Sequence, residues 1–299
     1  MNAFDSILSP LQLGLATGCG FIVGGIAGLL GIGGSFLLVP ILHVLLGVPI
    51  KIAVGSTSCQ LLGPSTTSIL ARKLNREQLR FPLILTGGLI VGAMVGTWVL
   101  QEAGNLGDTT INGQSISVVR LAVLTVYLVM LVSMGSFAVF EAWRQGQGRP
   151  IRRGWLTGIK LKPVDSFDEM EVGEMSIPML SMFGLATGLT AGLLGISGGL
   201  FLIPGLVYLM GMRSKHAINA SLVVIWIVSI IATTFHAWHG NVNLQLAVAL
   251  MFGGTIGAQL GTRWSYRLKG QTLRSSLGWL TLFAAVLVLY DLLRLLGVL

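Results

Sequence analysis

The chain has 299 residues, of which 53% are hydrophobic and 10% are charged, and its formal net charge is +8. A soluble domain has about a quarter of its residues charged, so this composition excludes a water-soluble protein and predicts one solvated mainly by the lipid bilayer. The positive charge does not indicate a nucleic-acid partner, because the Lys and Arg residues lie in short loops between apolar segments, where they set membrane orientation.

Apolar segments follow one another along the whole chain. Most are long enough to cross a hydrocarbon core of about 30 Å, which predicts an all-α polytopic membrane protein. The first lacks a basic stretch and a cleavage site, so we interpret it as a retained span and not a signal peptide. The segments lie at 10–30, 35–47, 50–70, 81–103, 117–141, 178–195, 199–211, 216–237, 244–262 and 275–297.

Two of these segments, 35–47 and 199–211, are too short to span. At 1.5 Å per residue each forms a helix of about 20 Å. We interpret each as half of a broken or re-entrant element, or as a tilted short helix.

The positive charges predict the orientation of the spans. Sixteen of the 19 basic residues fall in four loops, around residues 72–80, 144–162, 213–215 and 263–274. Placing these loops in the cytoplasm leaves only Lys51, Arg120 and Arg294 on or near the outside. We therefore predict a multi-pass protein of the cell inner membrane with both termini on the outer side.

The chain contains an internal repeat. GFIVGGIAGLLGIGGSFLLVP at 20–40 and GLATGLTAGLLGISGGLFLIP at 184–204 are identical at 11 of 21 positions, at an offset of 164. GAMVGT at 92–97 matches GAQLGT at 257–262 at an offset of 165. Matched blocks in the same order indicate a duplicated module.

The repeat and the loop charges together predict two inverted repeats, each a broken or short helix pair followed by three transmembrane helices. The predicted organisation is a first repeat at 1–141, a cytoplasmic linker loop at 142–177 and a second repeat at 178–299. The linker is basic at first and acidic later. Both a solvated linker and a regulatory or partner-binding role fit that pattern.

The glycine-rich breaks within the repeat predict an anion site. Each break ends one helix and begins a short one, whose first N–H groups have no partner in that helix and carry the positive end of its dipole. An anion is the natural ligand there, although a turn used only for packing gives the same pattern. The predicted substrate-binding residues of the breaks are Gly33, Gly34 and Ser35 in the first half and Ser197, Gly198 and Gly199 in the second.

Hydroxyl and amide side chains follow each break at membrane depth. They can donate hydrogen bonds to an anion, or to neighbouring helices. The predicted binding residues are Ser56, Thr57 and Ser58 in GSTSCQ, and Asn219 and Ser221 in NAS. Secondary candidates are Cys59, His236 and Gln259.

Ionisable residues inside the predicted spans are few. His43 and His236 are the main ones, and Glu102, Glu141 and Asp291 sit near span ends, where we expect them to reach water. With no carboxylate clearly in the middle of a span, a proton or sodium relay is weakly supported. We expect no catalytic residue, no metal and no cofactor.

GLLGIGGSFLLVP and GLLGISGGLFLIP, followed by AVGSTS and AINAS, resemble the duplicated signature of the TauE/SafE sulfite exporter family over essentially the whole chain. The resemblance implies a transporter whose binding region is formed by the broken-helix glycines and the Ser, Thr and Asn residues after them. It also implies a sulfur-containing anion as substrate. AINAS lacks the usual threonine, so the two halves need not play equal roles.

These observations favour export of sulfite or a related small organosulfur anion, driven largely by membrane potential or gradient. The alternatives are an uptake carrier for sulfoacetate-like or other small organic anions, an anion channel, and a membrane-embedded enzyme. The enzyme is the weakest, because no polar catalytic cluster is present in the sequence. The expected partners are a small sulfur-containing anion and the lipid bilayer, with a homo-oligomer possible.

Overall fold

The computed structural model describes residues 9–73, 76–105, 107–111, 114–147, 154, 156–167, 172–194, 199–265, 267–268 and 270–297. The protein is built almost entirely from helices. Those of the first half are α1 (Pro10–Leu30), α2 (Ser35–Leu46), α3 (Ile50–Gln60), α4 (Leu62–Arg72), α5 (Arg76–Asn105) and α6 (Val118–Gly146). Those of the second half are α7 (Ile177–Leu194), α8 (Gly199–Pro204), α9 (Ser214–Trp238), α10 (Leu244–Ser265) and α11 (Gly270–Leu295), with a short π-helix at Gly205–Leu209.

Two small antiparallel strand pairs lie in the connections. β1 (Asp108–Ile111) pairs with β2 (Gln114–Ser117) between α5 and α6. β3 (Val164–Ser166) pairs with β4 (Glu174–Ser176) in the segment that joins the two halves.

The helix ends follow from local sequence. Ser9 and Gln12 form a capping box that satisfies free N–H groups at the start of α1. α1 ends at Gly31, whose φ of 73° places it in the left-handed region that favours glycine. The predicted single span at 50–70 is instead two helices that meet at Leu61. Pro64 explains this break, because a proline cannot donate a hydrogen bond to the carbonyl four residues before it.

Glycine faces bring helices from different halves into backbone contact. A Cβ on Gly20, Gly24 or Gly28 of α1 would collide with the backbone of Leu250, Gly254 or Ala258 of α10, respectively. A Cβ on Gly88, Gly92 or Gly96 of α5 would collide in the same way with the backbone of α7. In both pairs the contacts advance in the same direction along the two helices, so the helices are parallel. Glycines spaced four apart thus allow close packing of helices from the two halves.

The last helices of the two halves also pack together, but in opposite directions. Gly135 of α6 lies against Leu282 of α11, whereas Gly278 of α11 lies against Val139 of α6. The order of the contacts reverses along the two helices, so α6 and α11 are antiparallel.

Part of the segment that joins the halves packs on the helices. Phe167 is 5% exposed, and its ring meets that of Phe81 edge to face, with centroids 5.2 Å apart. Arg80 Nη2 lies 2.8 Å from Asp165 Oδ2 at the start of α5. This segment therefore contributes apolar contacts to the bundle and is more than a solvated linker.

α2 contains a proline whose effect on the backbone is repaired by another helix. Pro40 has no N–H to donate to the carbonyl of Phe36, four residues earlier. The hydroxyl of Tyr127, a fully buried residue of α6, donates to that carbonyl oxygen at 3.2 Å. The hydrogen bond holds α2 against α6 at the point where α2 lacks its own.

We expect Tyr127→Phe to lower the free energy of unfolding by about 1–2 kcal/mol, because it leaves a buried carbonyl without a donor. Pro40→Ala supplies the missing backbone donor, so the cost of Tyr127→Phe should be smaller in that background. Unfolding of the four purified proteins in one detergent measures the coupling. Equal costs in both backgrounds would contradict the assignment.

Candidate functional site

The first helix break is a tight, fully buried glycine turn. Gly31, Gly33 and Gly34 have φ values of 73°, 81° and 76°, all in the left-handed region. α2 starts directly afterwards at Ser35, which is 1% exposed. A Cβ on Gly34 would also collide with Val23 and Ala27 of α1, so both conformation and space require glycine there.

The first break touches the second half of the chain. A Cβ on Gly199, the first residue of α8, would collide with the backbone carbonyl of Ile32. Ser221 Oγ of α9 lies 2.8 Å from the carbonyl oxygens of both Gly31 and Ile218. The start of the second short helix and the predicted polar block of α9 thus lie against the first break. Of the predicted site, Ser197 and Gly198 fall outside the described residues.

The hydroxyls of the GSTS block are buried and hydrogen-bonded. Thr57 Oγ1 donates to the carbonyl of Ala53 at 2.7 Å, and Ser58 Oγ donates to the carbonyl of Val54 at 2.9 Å. Ser56 Oγ differs, because it accepts from the backbone N–H of Asn243 at 3.0 Å. Its own hydroxyl hydrogen is not used in that contact, so Ser56 keeps a donor for a second partner.

Asn219 lies beside Arg72. In the sequence analysis Arg72 served only to predict the membrane orientation. The guanidinium of Arg72, at the end of α4, donates to Asn219 Oδ1 at 3.4 Å. It also donates to the Gly28 carbonyl at 3.4 Å and to Ser265 Oγ at 3.1 Å. Arg72 is half-buried and joins α1, α9 and α10 near the first break. Its place between four helices depends on tertiary packing, which no sequence pattern encodes.

The three secondary candidates have different surroundings. Cys59 is half-buried in α3. His236 is fully buried, and its ring lies beside the backbone of Gly192 in α7. Gln259 is exposed, because the buried face of α10 is formed by Gly257, Gly261 and their neighbours. Among these candidates only His236 lies wholly inside the helix bundle.

Asp291 is nearly buried, although the sequence led us to expect a carboxylate that reaches water. It is 5% exposed and lies near the C-terminal end of α11, next to Arg120 at the start of α6. Its Oδ1 accepts from Arg120 Nη2 at 2.8 Å, and its Oδ2 lies 3.2 Å from His43 Nε2. Glu141 is also buried, and Arg144 pairs with it at 3.2 Å. Long basic side chains reach both carboxylates and compensate for their burial.

No group of three or more His, Cys, Asp or Glu side chains in the described ranges is placed to hold a metal ion. What the described residues do bring together is backbone turns, hydroxyls, amides and cationic side chains. Such groups bind oxyanions by hydrogen bonding and charge.

Seven helices of the described structure are long and apolar enough to cross a membrane, which makes this a multi-pass membrane protein. Residues 16–288 match the family described as sulfite exporter TauE/SafE, so the chain belongs to that family. It is a family of membrane transporters.

Curated relatives are similar over almost their whole length. A probable membrane transporter protein of Xylella fastidiosa (strain Temecula1) is 27% identical over 91% of this chain and 93% of its own. The probable membrane transporter protein YunE of Bacillus subtilis is 21% identical over 85% of this chain and 89% of its own. No solved structure matches the chain.

We expect Gly199→Ala to reduce transport several-fold, because the added methyl must push α8 away from the carbonyl of Ile32. Overpacking of this kind costs about 1–3 kcal/mol. Gly87→Ala in α5 is the matched control, since a Cβ there meets nothing within 4 Å. Flux per folded protein in liposomes compares them. Equal flux in the two variants would show that the contact between Gly199 and the carbonyl of Ile32 is not part of the transport site.

Proposed function

We propose that this protein is a secondary transporter of the inner membrane that exports sulfite or a related small organosulfur anion. The observation that carries the proposal is the contact of the first break with the start of the second short helix and with Ser221. In transporters built from inverted repeats, the substrate binds near the midplane, where discontinuous helices of the two halves meet. The description of the family as sulfite exporters supports the substrate class.

The directions of the helix contacts support two inverted halves. Consecutive spans joined by short loops cross in opposite directions, which applies to α5 and α6 and to α10 and α11. Because α6 is antiparallel to α11, α5 must then be antiparallel to α10. Since α1 is parallel to α10 and α7 is parallel to α5, the first helices of the halves also have opposite directions. The loop charges predict the same opposite orientation for the repeats 1–141 and 178–299.

The binding chemistry in this proposal uses hydrogen-bond donors and few charges. The two short apolar helices are Ser35–Leu46 and Gly199–Leu209. α8 begins against Ile32, three residues before α2 begins. Their positive ends thus lie close together, which suits a small oxyanion. Asn219 stands near this region as a neutral donor, two residues before Ser221, and Arg72 adds a cation at the predicted cytoplasmic end. Ser56 lies instead against Asn243, towards the other end of α10.

The described spans also fit an outward flow that needs no cation relay. Their two buried carboxylates, Glu141 and Asp291, are both paired with an arginine. An inside-negative potential drives a unit negative charge outward with about 2.3 kcal/mol per 100 mV, and a dianion gains twice that amount. Potential alone can therefore drive export, whereas uptake against that potential needs an opposing concentration gradient or a coupled ion.

We expect reconstituted protein to release sulfite from preloaded liposomes faster when the inside is made negative with a potassium gradient and an ionophore. Sulfate, thiosulfate and sulfoacetate tested in parallel define the specificity. Accelerated exchange in counterflow identifies a carrier rather than a channel. Flux that does not respond to the imposed potential would contradict electrogenic export.

We further expect Gly34→Val to abolish flux while the protein remains folded, because a branched side chain fits neither the φ of 76° nor the space beside α1. Gly18→Val is the control, since a Cβ on Gly18 meets nothing within 4 Å. Size-exclusion profiles and thermal unfolding check that both variants are folded. Normal flux in Gly34→Val would place the substrate path away from this break.

A further inference from the structure

Three basic residues are exceptions to the charge pattern of the chain. Lys51, Arg120 and Arg294 are the only ones of 19 that the loop pattern places on the outer side. Cations on that side run against the usual bias of membrane proteins, so their positions call for a specific explanation.

The structure gathers these three residues around two adjoining cavities. A cavity of about 550 Å³ is lined by Lys51 and Arg120, and one of about 460 Å³ by Arg120 and Arg294. The two cavities share His43, Gly47 and Arg120 in their linings. They lie where α2, α5, α9 and α11 end and α3 and α6 begin.

The larger cavity has a cationic and hydrogen-bonding wall. Its polar lining residues are His43, Lys51, Gln101, Ser117, Arg120, His239 and Asn241. Two of these are cations, and none of the described lining residues is a carboxylate. Asp291 lines the smaller, adjoining cavity and is already bound by Arg120 and His43. The electrostatic potential of this cavity therefore favours anions.

A buried amide in the wall lacks an acceptor. Asn241 is 7% exposed, and its Nδ2 makes no hydrogen bond to any described residue. Gln101 Oε1 on the same wall is an acceptor without a partner among the described residues, and a water molecule in the cavity can donate to it. A buried donor without an acceptor costs about 1–3 kcal/mol, so Asn241 calls for an acceptor from outside the protein. A ligand rich in acceptor oxygens and negative in charge satisfies Asn241, Lys51 and Arg120 together.

The cavity adjoins the predicted binding region. A Cβ on Gly55 would collide with the backbone carbonyl of Asn241, and the N–H of Asn243 donates to Ser56 Oγ at 3.0 Å. Asn241 thus separates the cavity from the GSTS block by a single layer of residues.

We propose that the cavity lined by Lys51, Gln101, Arg120 and Asn241 is a second anion site, at which small oxyanions bind on the outer side next to the transport path. This inference rests on the proposed function, since it assigns the cavity to the anion that the protein carries. At about 550 Å³ and about 30 Å³ per water molecule, the cavity holds a small anion with much of its hydration. Retained water keeps the affinity low, which permits release.

An engineered thiol tests the site without requiring transport. Ser117 lines the cavity, so Ser117→Cys places a thiol in its wall. Its labelling by a sulfonate-bearing and by a trimethylammonium-bearing methanethiosulfonate is measured by peptide mass spectrometry, relative to a free thiol. We expect the sulfonate reagent to be favoured, and addition of Lys51→Gln to lower that preference about three- to tenfold at low salt.

Lys215→Gln is the matched control, because Lys215 is an exposed lysine near the start of α9, at the opposite end of that helix from His239. It should leave the preference unchanged. Lys51→Gln is preferred to a change at Arg120, which would also remove the partner of Asp291. A preference equal in Lys51→Gln and Lys215→Gln would overturn the proposal.

Protection experiments identify the source of the anion. Sulfoacetate should slow labelling of Ser117→Cys more than sodium chloride of equal ionic strength, in maltoside micelles that contain no phosphate. If only phospholipid slows labelling, the site binds a headgroup and the proposal of a free-anion site is wrong. If sulfoacetate gives no more protection than chloride, the cavity holds water only and the proposal is also wrong.

The two proposals can fail separately. Labelling needs no gradient, so a site confirmed by charge and protection in protein that shows no anion flux would refute the transport proposal alone. Potential-driven flux with no effect of Lys51→Gln on labelling would refute the outer site alone.

Discussion

The structure depends on close backbone contact between helices of different halves. Lipid is as apolar as the side chains, so helices in a bilayer gain little from hydrophobic burial against each other, and association relies on packing and hydrogen bonds. Here α1 packs on α10 and α5 packs on α7, with glycines at the points of closest approach. Each half thus supplies its first helix to the other half. Because of this exchange, the break that follows α1 is held against α8 and α9 of the other half.

The glycine spacing of the repeat predicts which helix faces pack closely, but not which helices pack together. The spacing of Gly20, Gly24 and Gly28 predicts a close-packing face, and the structure confirms it. Nothing in that spacing says that the partner is α10, because any small-residue face of suitable length would fit. The position of the first break could also be predicted from the sequence, because a turn with positive φ at Gly31, Gly33 and Gly34 needs closely spaced glycines.

Other features could not be read from the sequence, because they depend on which helices meet. Asp291 near a span end predicts contact with water, yet Arg120 and His43 from two other helices enclose it. Arg72 belongs to a basic cluster by sequence, yet it reaches Asn219 and the Gly28 carbonyl. Long-range partners such as these become visible only when the helices are assembled. The interruption at Leu61, by contrast, was marked locally by Pro64.

The charges are distributed in a way that suits an anion path. In the described spans, hydroxyls near the middle mostly donate to their own helix, as Thr57 and Ser58 do, so this region offers few strong binding groups. Cations stand on either side of it, with Arg72 near one end and Lys51 and Arg120 near the other. Conduction requires binding strong enough to admit an ion and weak enough to release it. For the anion transport that we propose, a neutral centre between two cationic ends would meet both requirements, because each end would attract the anion and neither is buried deeply enough to hold it.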